Sequence, residues 1–163
     1  MTSVNALAGR PQPPVERGVH IAGLFGLALK HLRAEILADS EHEFPGLRVS
    51  HYRLLELIPD SGARITDLAG VAGMTKQGLG QHVDYLQKLG YTESERLPED
   101  RRVRLVRRTG KGDEAVAFSL AAIGRVETAW KKQLGSERYE VLRTILLELC
   151  QPFADELEWL EKA

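Results

Sequence analysis

The chain has 163 residues, a formal net charge of -1 and 28% charged residues, which makes it a soluble globular protein with length for one domain and a sizeable core. A single cysteine, Cys150, excludes an internal disulfide and fits a reducing compartment. Met1 to Pro14 lacks a basic start followed by an apolar run, and the apolar patch from Ile21 to Leu29 is too short for a bilayer, so the expected location is cytoplasmic with no membrane partner.

Residues 1–14, with Gly9, Pro11, Pro13 and Pro14, read as a flexible tail, and residues 15–163 as a single domain. A long helix is expected from about Glu16 to Ser40. Gly18, Gly23 and Gly26 each weaken it by roughly 1 kcal/mol relative to alanine. They mark either the close approach of a partner helix or a break near Gly23. Phe44-Pro45-Gly46 is a turn, Ser50 to Ile58 a helix with Leu54, Leu55 and Ile58 facing inward, and Pro59-Asp60-Ser61-Gly62 a second turn.

The segment from Ile65 to Thr75 predicts a short helix capped by Thr66, burying Leu68, Ala69 and Ala72 and stopping at Gly73, where glycine turns without steric cost. Thr75 then caps a second helix whose Leu79, Val83, Leu86 and Leu89 fall at steps of three and four on one face. Gln77, Gln81, Asp84 and Lys88 point the opposite way. A helix anchored behind by an apolar stripe, with polar side chains projecting outward, is how a recognition helix enters the major groove, and glutamines there read adenine edges bidentately. After Gly90, Tyr91 to Arg96 reads as a strand, Leu97 to Arg102 as a turn and Val103 to Arg107 as an alternating strand. The hairpin tip carries Arg101 and Arg102 toward phosphates or a minor groove. Arg104, Arg107 and Arg108 add to a basic wing, whereas Glu137, Glu140, Glu148, Asp155, Glu156, Glu158 and Glu161 make the C-terminal end acidic. Thr109 is expected to cap a helix from Lys111 to Leu134, and Ser136 another from Glu137 to about Glu161, broken or kinked at Pro152.

Met74-Thr75-Lys76-Gln77, the run Leu86 to Tyr91, and above all Pro98-Glu99-Asp100-Arg101-Arg102 through Thr109 resemble the MarR family of bacterial transcriptional regulators. The wing carries the specific part of the resemblance, an Asp, a gap of one, an Arg and five residues later Leu-Thr. Asp100, Arg102 and Thr109 match; Arg108 stands where leucine is usual, and Gln81 where a longer basic residue is common. The resemblance implies that Asp100 orients the wing and that Arg102 enters the minor groove.

Other chemistry is sparse. Histidines 20, 31, 42, 51 and 82 include no helical pair at i, i+3 or i, i+4, so no metal is expected. The apolar and acidic surroundings of Cys150 predict a buried structural side chain, not a redox sensor. Gly78 and Gly80 form no phosphate cradle; Gly80 either lets the helix approach the DNA backbone or is merely tolerated. Phe25, His51, Tyr52 and Trp130 are either core residues or the lining of a pocket of the kind in which the family binds aromatic effectors. No nucleophile elbow, dinucleotide fingerprint or paired carboxylate points to an enzyme, and no cofactor is expected.

The fold class is therefore mainly α with a small β-hairpin wing: a winged helix-turn-helix over about residues 46–108, flanked by dimerisation helices over about 16–40 and 110–161. The expected function is sequence-specific regulation of transcription, as a bacterial repressor acting as a homodimer on a short inverted repeat in double-stranded DNA and responding to a small aromatic effector. Thr75, Lys76, Gln77, Gln81, His82, Asp100, Arg101 and Arg102 are the expected DNA contacts, and Phe25, His51 and Tyr52 the ligand contacts. The alternative is a winged-helix dimerisation or protein-interaction module that no longer binds DNA.

Overall fold

The computed structural model describes residues 20–38, 40–96 and 103–162, with side chains left out at Leu157, Leu160, Glu161 and Lys162. The N-terminal tail, Gly18 and the predicted turn from Leu97 to Arg102 lie outside the described residues. In chain order the elements are α1 (Ile21–Leu37), α2 (Ser40–Glu43), α3 (Val49–Glu56), β1 (Ala63–Arg64), α4 (Ile65–Val71), α5 (Lys76–Lys88), β2 (Thr92–Arg96), β3 (Arg104–Arg108), α6 (Gly110–Leu134), α7 (Ser136–Cys150), a 3-10 turn (Gln151–Phe153) and α8 (Ala154–Lys162). This is the predicted class, mostly helical with a small antiparallel sheet.

Contacts divide the chain into two units, residues 1–31 and 32–163. In the first, the described residues form the N-terminal part of α1, which runs unbroken through Gly23 and Gly26. Its Ile21, Leu24, Phe25, Leu27 and Leu29 are all exposed. A Cβ at Gly26 would meet nothing within 4 Å, so no neighbour among the described residues accounts for that glycine.

The second unit holds the core. Leu54 and Leu55 of α3, with Leu57 and Ile58 just beyond it, pack with Leu68 and Ala69 of α4, Leu79, Val83 and Leu86 of α5, Val106 of β3, and Ala115, Val116 and Ala122 of α6. Burying such aliphatic side chains contributes about 1.5–3 kcal/mol each. The inward faces match the periodicity of each segment. Gly73, at φ +62°, turns the chain between α4 and α5 where a side chain would be strained. Two caps and one buried position differ from expectation. Thr66 lies inside α4, two residues after the N-cap Arg64, and its hydroxyl donates to the Asp67 carboxylate. Ala72 is half-buried. Ser136 is the first residue of α7, which follows Gly135 at φ +81°.

The sheet has the order β1-β3-β2. β1 is only two residues long, too short for an alternating pattern to announce it in the sequence; Ala63 faces Val106 and Arg64 faces Leu105. The hairpin pairs Thr92 with Arg108 through to Arg96 with Arg104. Thr109 closes it onto α6: its Oγ1 accepts the Gly112 N–H at 3.2 Å and its hydroxyl donates to Gly90 O at 2.6 Å. A Cβ on Gly112 would lie 2.2 Å from Tyr91 O, so only glycine lets α6 start this close to the end of α5.

Pro152 breaks the last helix as expected, and α8 returns to the core, where Trp159 Nε1 donates to Leu57 O at 2.8 Å. Cys150 departs from the prediction. It is exposed, because α7 buries none of its residues in this chain and its apolar side chains, among them Val141, Ile145, Leu147 and Leu149, face solvent. No helix among the described residues is long and apolar enough to cross a membrane, and no cluster of three or more metal-ligating side chains occurs among them.

Candidate nucleic-acid interface

α5 is the element that presents the site. Thr75 Oγ1 accepts the Gly78 N–H at 3.1 Å, which fixes the start of the helix and leaves other first-turn N–H groups free for an anion. Leu79, Val83 and Leu86 are fully enclosed, and Leu89 is half-buried, so the stripe holds the helix from behind. Lys76, Gln77, Gln81 and Lys88 stand exposed on the other side. No hydrogen bond or ion pair within the described residues engages the side chains of Lys76, Gln77 or Gln81. Gly78 and Gly80 sit on this helix, with Gly80 a contact distance of 4.0 Å from Ile65 Cδ1 were it to carry a Cβ.

Beside the start of α5, Ile65, Lys76, Gln77, Arg96 and Arg104 line a concavity of about 510 Å³. It joins the base of the wing to the helix and is rich in cationic groups. Arg104 holds this junction together. Its guanidinium reaches Asp84 at 2.7 Å, the Ser94 hydroxyl at 3.0 Å and Gln87 Oε1 at 3.1 Å, while Ser94 donates to the same Gln87 oxygen at 2.7 Å. One side chain of β3 thus ties α5 to β2.

The strand arginines differ from the basic patch that their spacing suggests. Arg107 pairs with Glu95 at 3.1 Å. Arg108, only 8% exposed, reaches the carbonyls of Leu55 and Ile58 and the carboxylates of Asp60 and Asp113. A leucine at this position could satisfy none of these acceptors, and the start of α6 is positioned here through Asp113. The charge of these residues is balanced within the fold. Asp100, Arg101 and Arg102, the wing residues of the motif, lie outside the described residues.

The remaining predicted residues separate. His82 is half-buried on the flank of α5, where its ring stands 5.5 Å from that of His51. Sequence spacing hid this pair, because it is formed across two helices. His51 also lies 5.0 Å from the Tyr85 ring, and its Nδ1 accepts the Arg48 N–H at 3.1 Å. Burial, then the charges of His82 and Arg48, hold its pKa below the usual histidine value. Tyr52, its neighbour in sequence, points elsewhere: it is 2% exposed, bonded to the Ser40 hydroxyl at 2.7 Å and packed against Phe44 and Phe118. Burial raises its pKa, an effect that the Ser40 bond opposes. Phe25 is exposed on α1.

Comparison with known proteins bears directly on this arrangement. Residues 46–103, which contain the helix-turn-helix and most of the wing, match the model of the MarR family. Solved structures share the fold well beyond that match. A crystal structure of MarR superposes with a TM-score of 0.72 at 21% identity, covering 88% of this chain and 97% of that one. The transcriptional repressor CouR bound to a 23-mer DNA duplex gives 0.65 at 20% identity, covering 87% and 100%. FabT of Streptococcus pneumoniae in complex with DNA gives 0.69 at 18% identity, covering 81% and 93%. No curated protein matches the chain by sequence.

Proposed function

We propose that this MarR-like chain is a DNA-binding regulator of transcription, not an enzyme, acting as a homodimeric repressor on a short inverted repeat. The observation that carries the reading is the outward face of α5, where Lys76, Gln77 and Gln81 are exposed and have no partner of their own within the described residues. In this reading Gln77 and Gln81 meet base edges, Thr75 and the helix start hold a phosphate, Lys76 and His82 meet the backbone, and Asp100, Arg101 and Arg102 serve the wing. The DNA-bound state of CouR and FabT, which share the fold, supports it.

Assembly follows from surface that this chain leaves uncovered. Ile21, Leu24, Phe25, Leu27 and Leu29 on α1, and separately Val141, Ile145, Leu149 and Phe153 near the C-terminus, are exposed. Clustered apolar surface of this kind marks an interface, and a twofold dimer would set two recognition helices about 10 base pairs apart. A response to a small aromatic effector belongs to the same reading. Of its three proposed contacts, Tyr52 is closed into the core, whereas Phe25 is exposed and His51 borders a surface concavity.

Selection of bound fragments from a random duplex library tests the reading. An enriched inverted repeat is expected, with its affinity falling steeply as salt rises, by about 0.9 in log slope for each phosphate contacted. A chain that enriches no sequence and shows no salt-dependent binding to random duplex, because it does not bind DNA, is the interaction module instead. Sedimentation of the full chain reports the dimer, and release of the selected fragment by aromatic carboxylates reports the effector.

A further inference from the structure

Where α3 begins beside α5, Arg48, His51, Gln81, His82 and Tyr85 line a concavity of about 260 Å³. No carboxylate is among them. Arg48 is exposed, and no acid pairs with it among the described residues. The nearest acid on α5, Asp84, is held by Arg104 on the wing side at 2.7 Å. Tyr85 is also engaged, donating to Gly46 O at 2.9 Å.

His51 supplies the decisive geometry. It is 5% exposed, and its Nδ1 accepts the Arg48 N–H, so the proton of the neutral ring sits on Nε2. That Nε2–H has no acceptor within the described residues. Among the enclosed side-chain polar atoms of the described residues, Tyr91 Oη alone lacks a partner, so Nε2 keeps its contact with solvent, and the concavity is the opening that His51 borders. A protonated Nε2 cannot ligate a metal. It can donate. The concavity therefore gathers a guanidinium, two imidazoles and an amide, a donor set with no competing acid, which suits a tetrahedral oxyanion.

We propose that Arg48, His51 and His82 form a seat for a phosphate-class oxyanion, bordered on the groove side by the base-reading Gln81 and filled in the DNA complex by a backbone phosphate beside the groove that α5 enters. The choice of a DNA phosphate rests on the DNA-binding reading; the seat itself does not. Arg48 supplies charge and His51 an uncharged donor, so the two residues carry different signatures.

The test uses the full chain and two variants, each checked for an unchanged urea midpoint. Arg48→Ala removes no hydrogen bond of the fold. It should weaken binding several-fold on operator and random duplex alike, and make the slope of log K against log salt shallower by about 0.9. His51→Asn, which keeps an acceptor for the Arg48 N–H, should weaken binding and leave the slope unchanged. In a second arm, inorganic phosphate is titrated into the isotope-labelled chain while the imidazole signals are followed. A saturable shift that Arg48→Ala abolishes supports the seat and assigns it to free phosphate if the salt slope on DNA is unaffected. An unaffected slope together with no phosphate-dependent shift overturns the seat, even if Gln77→Ala in the same assay loses operator affinity. If the wild type binds no duplex at all, the DNA reading fails and the phosphate titration alone decides the seat.

Discussion

On α5 the polar side chains of Lys76, Gln77 and Gln81 extend from the fold without internal partners, whereas on β3 Arg104, Arg107 and Arg108 are all engaged by acids of the same chain. Both regions look suited to DNA when read as sequence. The structure divides their work: α5 offers unsatisfied groups to a partner, and β3 spends its cations on fixing where α5, the hairpin and α6 sit. A basic residue counts toward nucleic-acid affinity only insofar as its charge is not already balanced within the fold.

The largest effect that separates the two regions is expected at Arg108. Arg108→Ala leaves the carbonyls of Leu55 and Ile58 without this donor and Asp60 and Asp113 without their counterion. The carboxylates are well exposed, so their share is small; the half-enclosed carbonyls set the cost at about 2–3 kcal/mol. Urea unfolding should show the loss, and DNA affinity of the folded fraction should change little. A stable variant with a much shallower salt slope would place Arg108 with the DNA contacts and break the comparison.

The opposite pattern is expected on α5. Gln77→Ala and Gln81→Ala should leave the urea midpoint unchanged and cost about 1–3 kcal/mol on the selected operator, with little loss on random duplex. Equal losses on both sequences would move the glutamines from base reading to backbone contact.

A third expectation concerns the buried flank of α5. The pKa of His51 is lowered, by burial first and then by His82 and Arg48, with the Tyr85 ring tilted against it at 5.0 Å. Above the ordinary histidine value near 6.5 both folded and unfolded states are neutral and the residue contributes no pH dependence. Below it the unfolded chain binds the proton that the folded chain resists, so stability falls with falling pH until the lowered folded pKa is passed. The difference between wild type and His51→Asn, followed by urea unfolding from pH 7.5 to 5, isolates this from carboxylate titration. Identical pH profiles would mean that His51 is not held neutral.

Much of this was legible in the sequence. Steps of three and four located the α5 stripe, Thr75 and Thr109 announced their helices, and Pro152 its break. What escaped detection depends on partners distant in the chain. β1 has two residues and exists because β3 lies beside it. The His51–His82 pair joins residues 31 positions apart, and the Arg108 staple reaches back to the turn after α3, so neither has a local signature. Cys150 is exposed for a related reason: an apolar neighbourhood in sequence implies burial only if some surface covers it, and among the described residues α7 packs only partly, against α6, and buries none of its residues.

The smallest effect tests whether Arg104 belongs to the scaffold or to the DNA-binding face. Its guanidinium is one-quarter exposed and Asp84 two-thirds exposed, so solvent screens their ion pair and its coupling should be modest. A double-mutant cycle of Arg104→Ala and Asp84→Ala, read by unfolding, should give about 0.2–1 kcal/mol. The informative readout is DNA binding by the single variants. If Arg104 is scaffold, Asp84→Ala weakens operator binding in the same direction as Arg104→Ala, because either change frees the hairpin from α5. If Arg104 instead contacts phosphate and Asp84 merely shields it, Asp84→Ala releases a cation and strengthens binding while Arg104→Ala weakens it. Opposite signs in the two variants would therefore add Arg104 to the DNA contacts, and matching signs would keep the cations of β3 apart from the open face of α5.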